Sequence, residues 1–183
     1  MSSVSSFDPA RLDQLLASMR EEFPDFAIVS KRESALQLAI GRFLAIVTLG
    51  GQRTYVSRYH TVMFGKLWVP DSWPQMGSDA RYVLLRHERV HLRQRARMGD
   101  VAMALVYLLP IFPLGLAYGR ARIEWEAYEE TIRATHEVYG VAALSALKRE
   151  LVQRFVGPDY GWMWPFPRVI ERWFDEAVAR LPG

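Results

Sequence analysis

The chain contains no cysteine in 183 residues. Disulfides and thiolate metal ligands are thereby excluded, and a reducing compartment, the cytoplasm, is the natural setting. Lysine is almost missing as well: 3 Lys stand against 20 Arg, so arginine carries the net charge of +3 over 20 acids. Arg86, Arg89, Arg93, Arg95 and Arg97 crowd one segment, but no nucleic-acid-binding motif accompanies them. A solvated helix face accounts for them, and no nucleic-acid partner is expected. No internal repeat or low-complexity run is present. Residues 1–6 read as a flexible tail, too short and too polar for a signal peptide. One long uncharged run exists, 101–119, and its Pro110 and Pro113 break it before it attains the ~20 apolar residues of a membrane span. With 50% hydrophobic residues, the length suits one domain, 1–183, with a sizeable core.

Against these absences stands His87-Glu88-Arg89-Val90-His91. With 4 His and 12 Glu in the chain, shuffling would produce such an HExxH pentapeptide about 0.004 times per chain, so chance explains it poorly. On an α-helix, residues four apart share a face with Cβ atoms roughly 5–6 Å apart, and two imidazoles can then reach one zinc ion. Glu88 can hold the metal-bound water and take its proton. The helix is expected over 80–98, with Ser78 and Asp79 as N-cap oxygens and Gly99 as its stop. Val83, Leu84, His87, Val90 and His91 form the inward flank; Arg86, Arg89, Arg93 and Arg97 form the other.

A catalytic zinc needs a third protein ligand and an open position. Without cysteine it must be His, Asp or Glu. The longer motif that adds Gly and a third His fails, because Gln94 and Arg97 occupy those places. A long helix over 117–139 carries Glu124, Glu126, Glu129 and Glu130. The neighbours of Glu124 at helical spacing are mostly small, including Ala117, Ala121 and Ala127, whereas Glu126 lies among Arg122, Glu129, Glu130 and Arg133. Glu124 is the better third ligand and Glu126 the alternative.

His87-Glu88-x-x-His91 followed by Glu124-x-x-Ala127-Tyr128 resembles the gluzincins, which include thermolysin, the membrane prenyl-protein proteases and the small minigluzincins. The resemblance spans residues 43–139, about half the chain. It implies a zincin-like fold, zinc as cofactor, the downstream Glu as third ligand, and a peptide or protein substrate. In those families an Asp four residues after the Glu commonly orients a zinc-bound histidine; Tyr128 stands there instead, and a phenol can still hydrogen-bond an imidazole. The resemblance also implies that the last strand before the metal helix, within 61–68, aligns an extended peptide beside the zinc. An ordinary core hairpin is the competing reading.

Around the motif, residues 9–22 read as an amphipathic helix capped by Asp8, with Leu12, Leu15, Leu16 and Met19 inward, and 33–40 as a shorter one. Segments 43–49, 53–58 and 61–69 read as strands, with Gly50-Gly51 as a hairpin turn, Gly65 as a bulge or turn and Pro70 as the stop. The expected architecture is α+β: a small, mostly antiparallel sheet packed on the HExxH helix and the Glu-bearing helix, followed by C-terminal helices. Run 101–119 reads as an apolar helical hairpin with Ile111, Phe112 and Leu114 at its tip, suited to burial, to a second copy in a homodimer, or to peripheral contact with a membrane. An aromatic cluster over 160–167 joins two C-terminal helical segments and reads first as core filling. The expected function is a zinc metallopeptidase with His87, His91 and Glu124 as ligands and Glu88 as general base. Tyr160, His136 and His60 are candidate donors to the oxyanion. The competing function is a non-catalytic zinc module that recognises a peptide or senses a partner.

Overall fold

The computed structural model describes residues 7–33, 60–108, 117–157 and 163–182. Helix α1 (Ala10–Glu22) buries Leu12, Leu15 and Met19 on one stripe; its N-cap is Pro9 instead of Asp8, whose Oδ1 still accepts the Ala10 N–H at 2.9 Å. Three short strands follow: β1 (Ile28–Ser30), β2 (Thr61–Met63) and β3 (Lys66–Val69). Segment 61–69 is two strands that turn at Phe64-Gly65, the hairpin of the competing reading of this stretch. Phe64 and Gly65 both take positive φ, 54° and 74°, which is the two-residue turn that matches the twist of an antiparallel hairpin.

The described sheet has the order β1-β3-β2 and is mixed. β2 runs antiparallel to β3 with Val62 opposite Leu67, while β1 runs parallel to β3 with Ile28 opposite Leu67. The expectation of a mostly antiparallel sheet is corrected by β1, whose three residues are too few to show a period. The strands expected at 43–49 and 53–58, the Gly50-Gly51 turn, all but the start of the helix expected at 33–40, and tail 1–6 lie outside the described residues.

The motif helix α2 spans Ser78–Met98, and Gly99, at φ 80°, ends it by donating its N–H to the Arg95 carbonyl. Its N-cap is Gly77, not Ser78 or Asp79, both of which lie in the first turn. The inward flank also differs from the pattern read in the sequence. Tyr82, Leu85 and Leu92 are buried, whereas Val83, Leu84 and Val90 are half-buried. α2 is in fact covered on two sides, so a single amphipathic stripe describes it poorly. One side meets α1 and the sheet through Leu12, Leu15, Met19, Phe26, Leu67 and Val69; each such fully buried aliphatic side chain contributes about 1.5–3 kcal/mol. The other side meets α4.

Helix α3 spans Asp100–Leu108 and α4 spans Tyr118–Tyr139. The tip of the apolar run at 109–116, with Pro110 and Pro113, lies outside the described residues. Among the described residues no helix is long and apolar enough to cross a membrane. α5 (Leu144–Val156) and α6 (Pro167–Ala179) pack on the far side of α4 around Trp125, Tyr128, Ile132, Leu151, Phe155, Ile170 and Phe174. Met163, from the aromatic linker, is buried in this second core. The α2–α4 seam therefore lies between two hydrophobic cores, with the most extensive helix–helix contact in the described structure.

Candidate metal centre

Two turns of α2 and one of α4 place His87, His91 and Glu124 on facing sides of the seam. Their ligand atoms lie within 4.8 Å of one another, and all three residues are buried. His87 Nε2 and His91 Nε2 are 3.1 Å apart; Glu124 Oε2 is 4.0 Å from the first and 3.8 Å from the second. A tetrahedral zinc with bonds of about 2.0–2.1 Å sets its ligand atoms roughly 3.3 Å apart, so the set fits such an ion with small adjustments. Ala121 and Ala127, the small neighbours of Glu124, are fully buried.

The protons on the two imidazoles follow from their partners. Thr131 Oγ1 donates to the Ala127 carbonyl at 3.3 Å and therefore accepts from His87 Nδ1–H at 2.9 Å. Gln94 Nε2 donates to the Ile123 carbonyl at 2.9 Å, which turns Gln94 Oε1 toward His91 Nδ1 at 2.8 Å as an acceptor. Both Nδ1 atoms thus carry the hydrogen, and both Nε2 atoms direct lone pairs at a shared point. Burial, with the charges of His91 and Arg154, keeps His87 well below the ordinary histidine range, in the neutral form a metal ligand needs. With the hydrogens on both Nδ1 atoms, the two Nε2 atoms face each other at 3.1 Å as acceptors, an arrangement that favours a cation.

Neither orienting partner was singled out in the sequence. Gln94 was visible only as the residue that breaks the longer zinc motif. Tyr128, the residue considered for this role, instead lays its ring edge-on to His87, with centroids 4.7 Å apart, while its hydroxyl accepts from Arg154 Nη1 at 3.4 Å. Glu126, the alternative ligand, is outside the cluster. Its carboxylate accepts from Gln94 at 2.6 Å and from Arg97 at 3.0 Å, and these bonds outweigh partial burial to hold it below the usual carboxylate range.

Glu88 is buried beside this set. Burial raises its carboxyl to about 7; Glu124 pushes the same way, and His91 and Lys31 pull it back. Lys31, the residue immediately after β1, is fully buried and donates to Thr61 Oγ1 at 2.9 Å. Burial lowers its ammonium to about 8 despite the nearby Glu88 charge. A single lysine after a three-residue strand carries no signal in sequence. His60, just before β2, is brought near the site: burial, with the charges of Lys31 and Arg154, lowers it to about 4, and its Nε2 is buried without a hydrogen-bond partner among the described residues. His136 stands 12 residues beyond Glu124 on α4, about 18 Å along the axis. It is not part of the cluster. Tyr160 lies outside the described residues.

The opposite face of the seam holds most of the motif helix's arginines. Arg86 pairs with Glu130 and Glu137, Arg89 and Arg93 pair with Glu22, and Arg97 pairs with Glu126. Comparison of the chain with protein families, with curated proteins and with solved structures returns no match.

Proposed function

We propose that the chain is a zinc-dependent metallopeptidase of gluzincin type, with His87, His91 and Glu124 as the zinc ligands. The observation that carries this reading is Glu88: a buried carboxylic acid poised near pH 7 beside a His-His-Glu set. A site that only holds metal has no use for such a group, and an acid with that affinity for protons suits transfer in both directions at neutral pH. Zinc in this set would supply Lewis-acid polarisation of a scissile carbonyl and lower the pKa of water. Glu88 takes the proton from the attacking water and returns it to the departing amine nitrogen. His60, neutral and with an unengaged Nε2 among the described residues, is the candidate partner for the carbonyl oxygen as it gains charge.

Peptide alignment by the last strand before the helix needs revision. β3 is paired on both sides, so among the described residues the edges are β1 and β2, and β2, which lies within 61–68, is the edge proposed for an extended peptide. The described part of the apolar run keeps Val101 and Leu105 exposed on α3, which favours contact with a second copy or a bilayer surface over burial, the other use read for this run. The competing reading, a non-catalytic zinc module, is separated by one experiment. Zinc-loaded protein is expected to cleave casein, and Glu88→Gln is expected to keep the metal and reduce cleavage by at least about 100-fold. Equal cleavage by the variant would overturn the peptidase reading.

A further inference from the structure

Beyond the ligands themselves, we infer that Gln94 is the positioning residue that fixes His91 for the metal, and that Glu126 is the anchor that holds Gln94 in place. The inference rests on the metal-site reading above but not on peptidase activity. A continuous chain of hydrogen bonds runs from the buried site to the surface. His91 Nδ1 meets Gln94 Oε1 at 2.8 Å, Gln94 Nε2 meets Glu126 Oε2 at 2.6 Å, and Glu126 meets Arg97 Nη2 at 3.0 and 3.2 Å.

The amide has only one workable orientation. Its two N–H groups face two acceptors, the Ile123 carbonyl and the Glu126 carboxylate. Rotating it by half a turn would set its oxygen against both and its N–H groups against the imidazole. The carboxylate thus acts on His91 through an intervening amide: it selects which end of Gln94 faces the ring, and that end selects the Nδ1–H tautomer, whose Nε2 lone pair is turned toward His87 and Glu124. Gln94 is 1% exposed, so water cannot substitute for a lost partner. The geometry also explains why Glu126, two residues from the ligand Glu124 on α4, faces the motif helix at all. It lies about half a turn around the helix from Glu124 and reaches the site only through Gln94.

Two measurements test this. The first is the tautomer of His91 in the metal-free protein, read from its ring ¹⁵N shifts. Wild type is expected to show Nδ1–H, and Gln94→Leu is expected to move His91 to Nε2–H or to a mixture, with His87 unchanged on Thr131. The second is zinc affinity by chelator competition. Gln94→Leu is expected to lose about 10–100-fold, as outer partners of metal-bound histidines do, and Glu126→Ala, whose site is half-exposed and tolerant, about 3–10-fold through the same bond. Gln94→Glu alone should behave like Gln94→Leu, because it sets two carboxylates against each other; combined with Glu126→Gln it should recover part of the affinity, since donor and acceptor are then exchanged. Wild-type tautomer and zinc affinity within twofold in both Gln94→Leu and Glu126→Ala would overturn the inference. If Gln94→Leu does not fold, Glu126→Ala and the exchanged pair decide it. A chain that fails to cleave peptides while showing these shifts would leave the inference standing and remove the peptidase reading.

Discussion

The two faces of the α2–α4 seam are built from the same residue types and differ in how those residues are satisfied. On one face Arg86, Arg89, Arg93 and Arg97 meet Glu22, Glu126, Glu130 and Glu137, each cation opposite an acid and in reach of water. On the other, His87, His91 and Glu124 are buried and turn acceptors toward one point. The first face closes its own electrostatic balance and needs nothing more. The second is a set of three buried groups that could hold a metal ion. What marks a site is thus convergence of buried ligand atoms on one point, and a count of charges along either helix would rank the wrong face first.

The largest expected effect sharpens that contrast. His87→Ala, His91→Ala or Glu124→Ala should each abolish stoichiometric zinc, a loss larger than the roughly 10–100-fold typical of outer partners, while Arg93→Ala should keep one zinc per chain. Elemental analysis of the purified variants reads both. Zinc retained by Glu124→Ala and lost by Glu126→Ala would reverse the assignment of the two acids.

Next in size is an effect of pH on the metal-free chain. Glu88 holds its proton up to about pH 7 in the fold, against the ordinary 4.5 of an unfolded glutamate. Between those values the folded chain carries a proton that the unfolded chain has lost, so this group's contribution to stability falls as pH rises through the window. Glu88→Gln removes that dependence. Its melting temperature relative to wild type should therefore climb between pH 5 and pH 8, by the equivalent of roughly 1–3 kcal/mol. A flat difference would mean that Glu88 is not buried as a neutral acid. His60 slopes the other way, losing stability as pH falls from 6.5 toward about 4, and it is present in both proteins.

Smaller still is the outer partner of His87. Thr131→Val removes the acceptor at Nδ1 and should weaken zinc binding by about 10-fold. Tyr128→Phe should change it less than threefold, because the ring contact with His87 survives. The smallest effect belongs to the paired face: Arg93→Ala should cost about 0–1 kcal/mol of stability in denaturant unfolding, as an exposed ion pair does.

The motif helix, its stop at Gly99 and the placement of Glu124, not Glu126, beside the two histidines were legible because helical period reports which residues share a face. The same period misled where a helix is covered twice: Val83, Leu84 and Val90 fit a single stripe, yet the buried positions are Tyr82, Leu85 and Leu92. Period says nothing about hydrogen-bond partners, so Gln94 and Thr131 could be found only once α4 was in place beside α2. β1 and Lys31 escaped for a different reason. A three-residue strand is recruited by its neighbour, and its pairing with β3 is set by tertiary contact instead of by its own sequence.

The seam has one more consequence, visible in where along the chain its two sides come from. Residues through α3 build one core and supply both imidazoles, and residues from α4 onward build the other and supply the carboxylate. Expressed as two separate polypeptides divided between α3 and α4, the chain would have to reassemble across this single interface. Each fragment alone would hold an incomplete set of donors. Zinc would then act as a coupling agent, and the affinity of the fragments for each other would rise with metal concentration and fall with chelation.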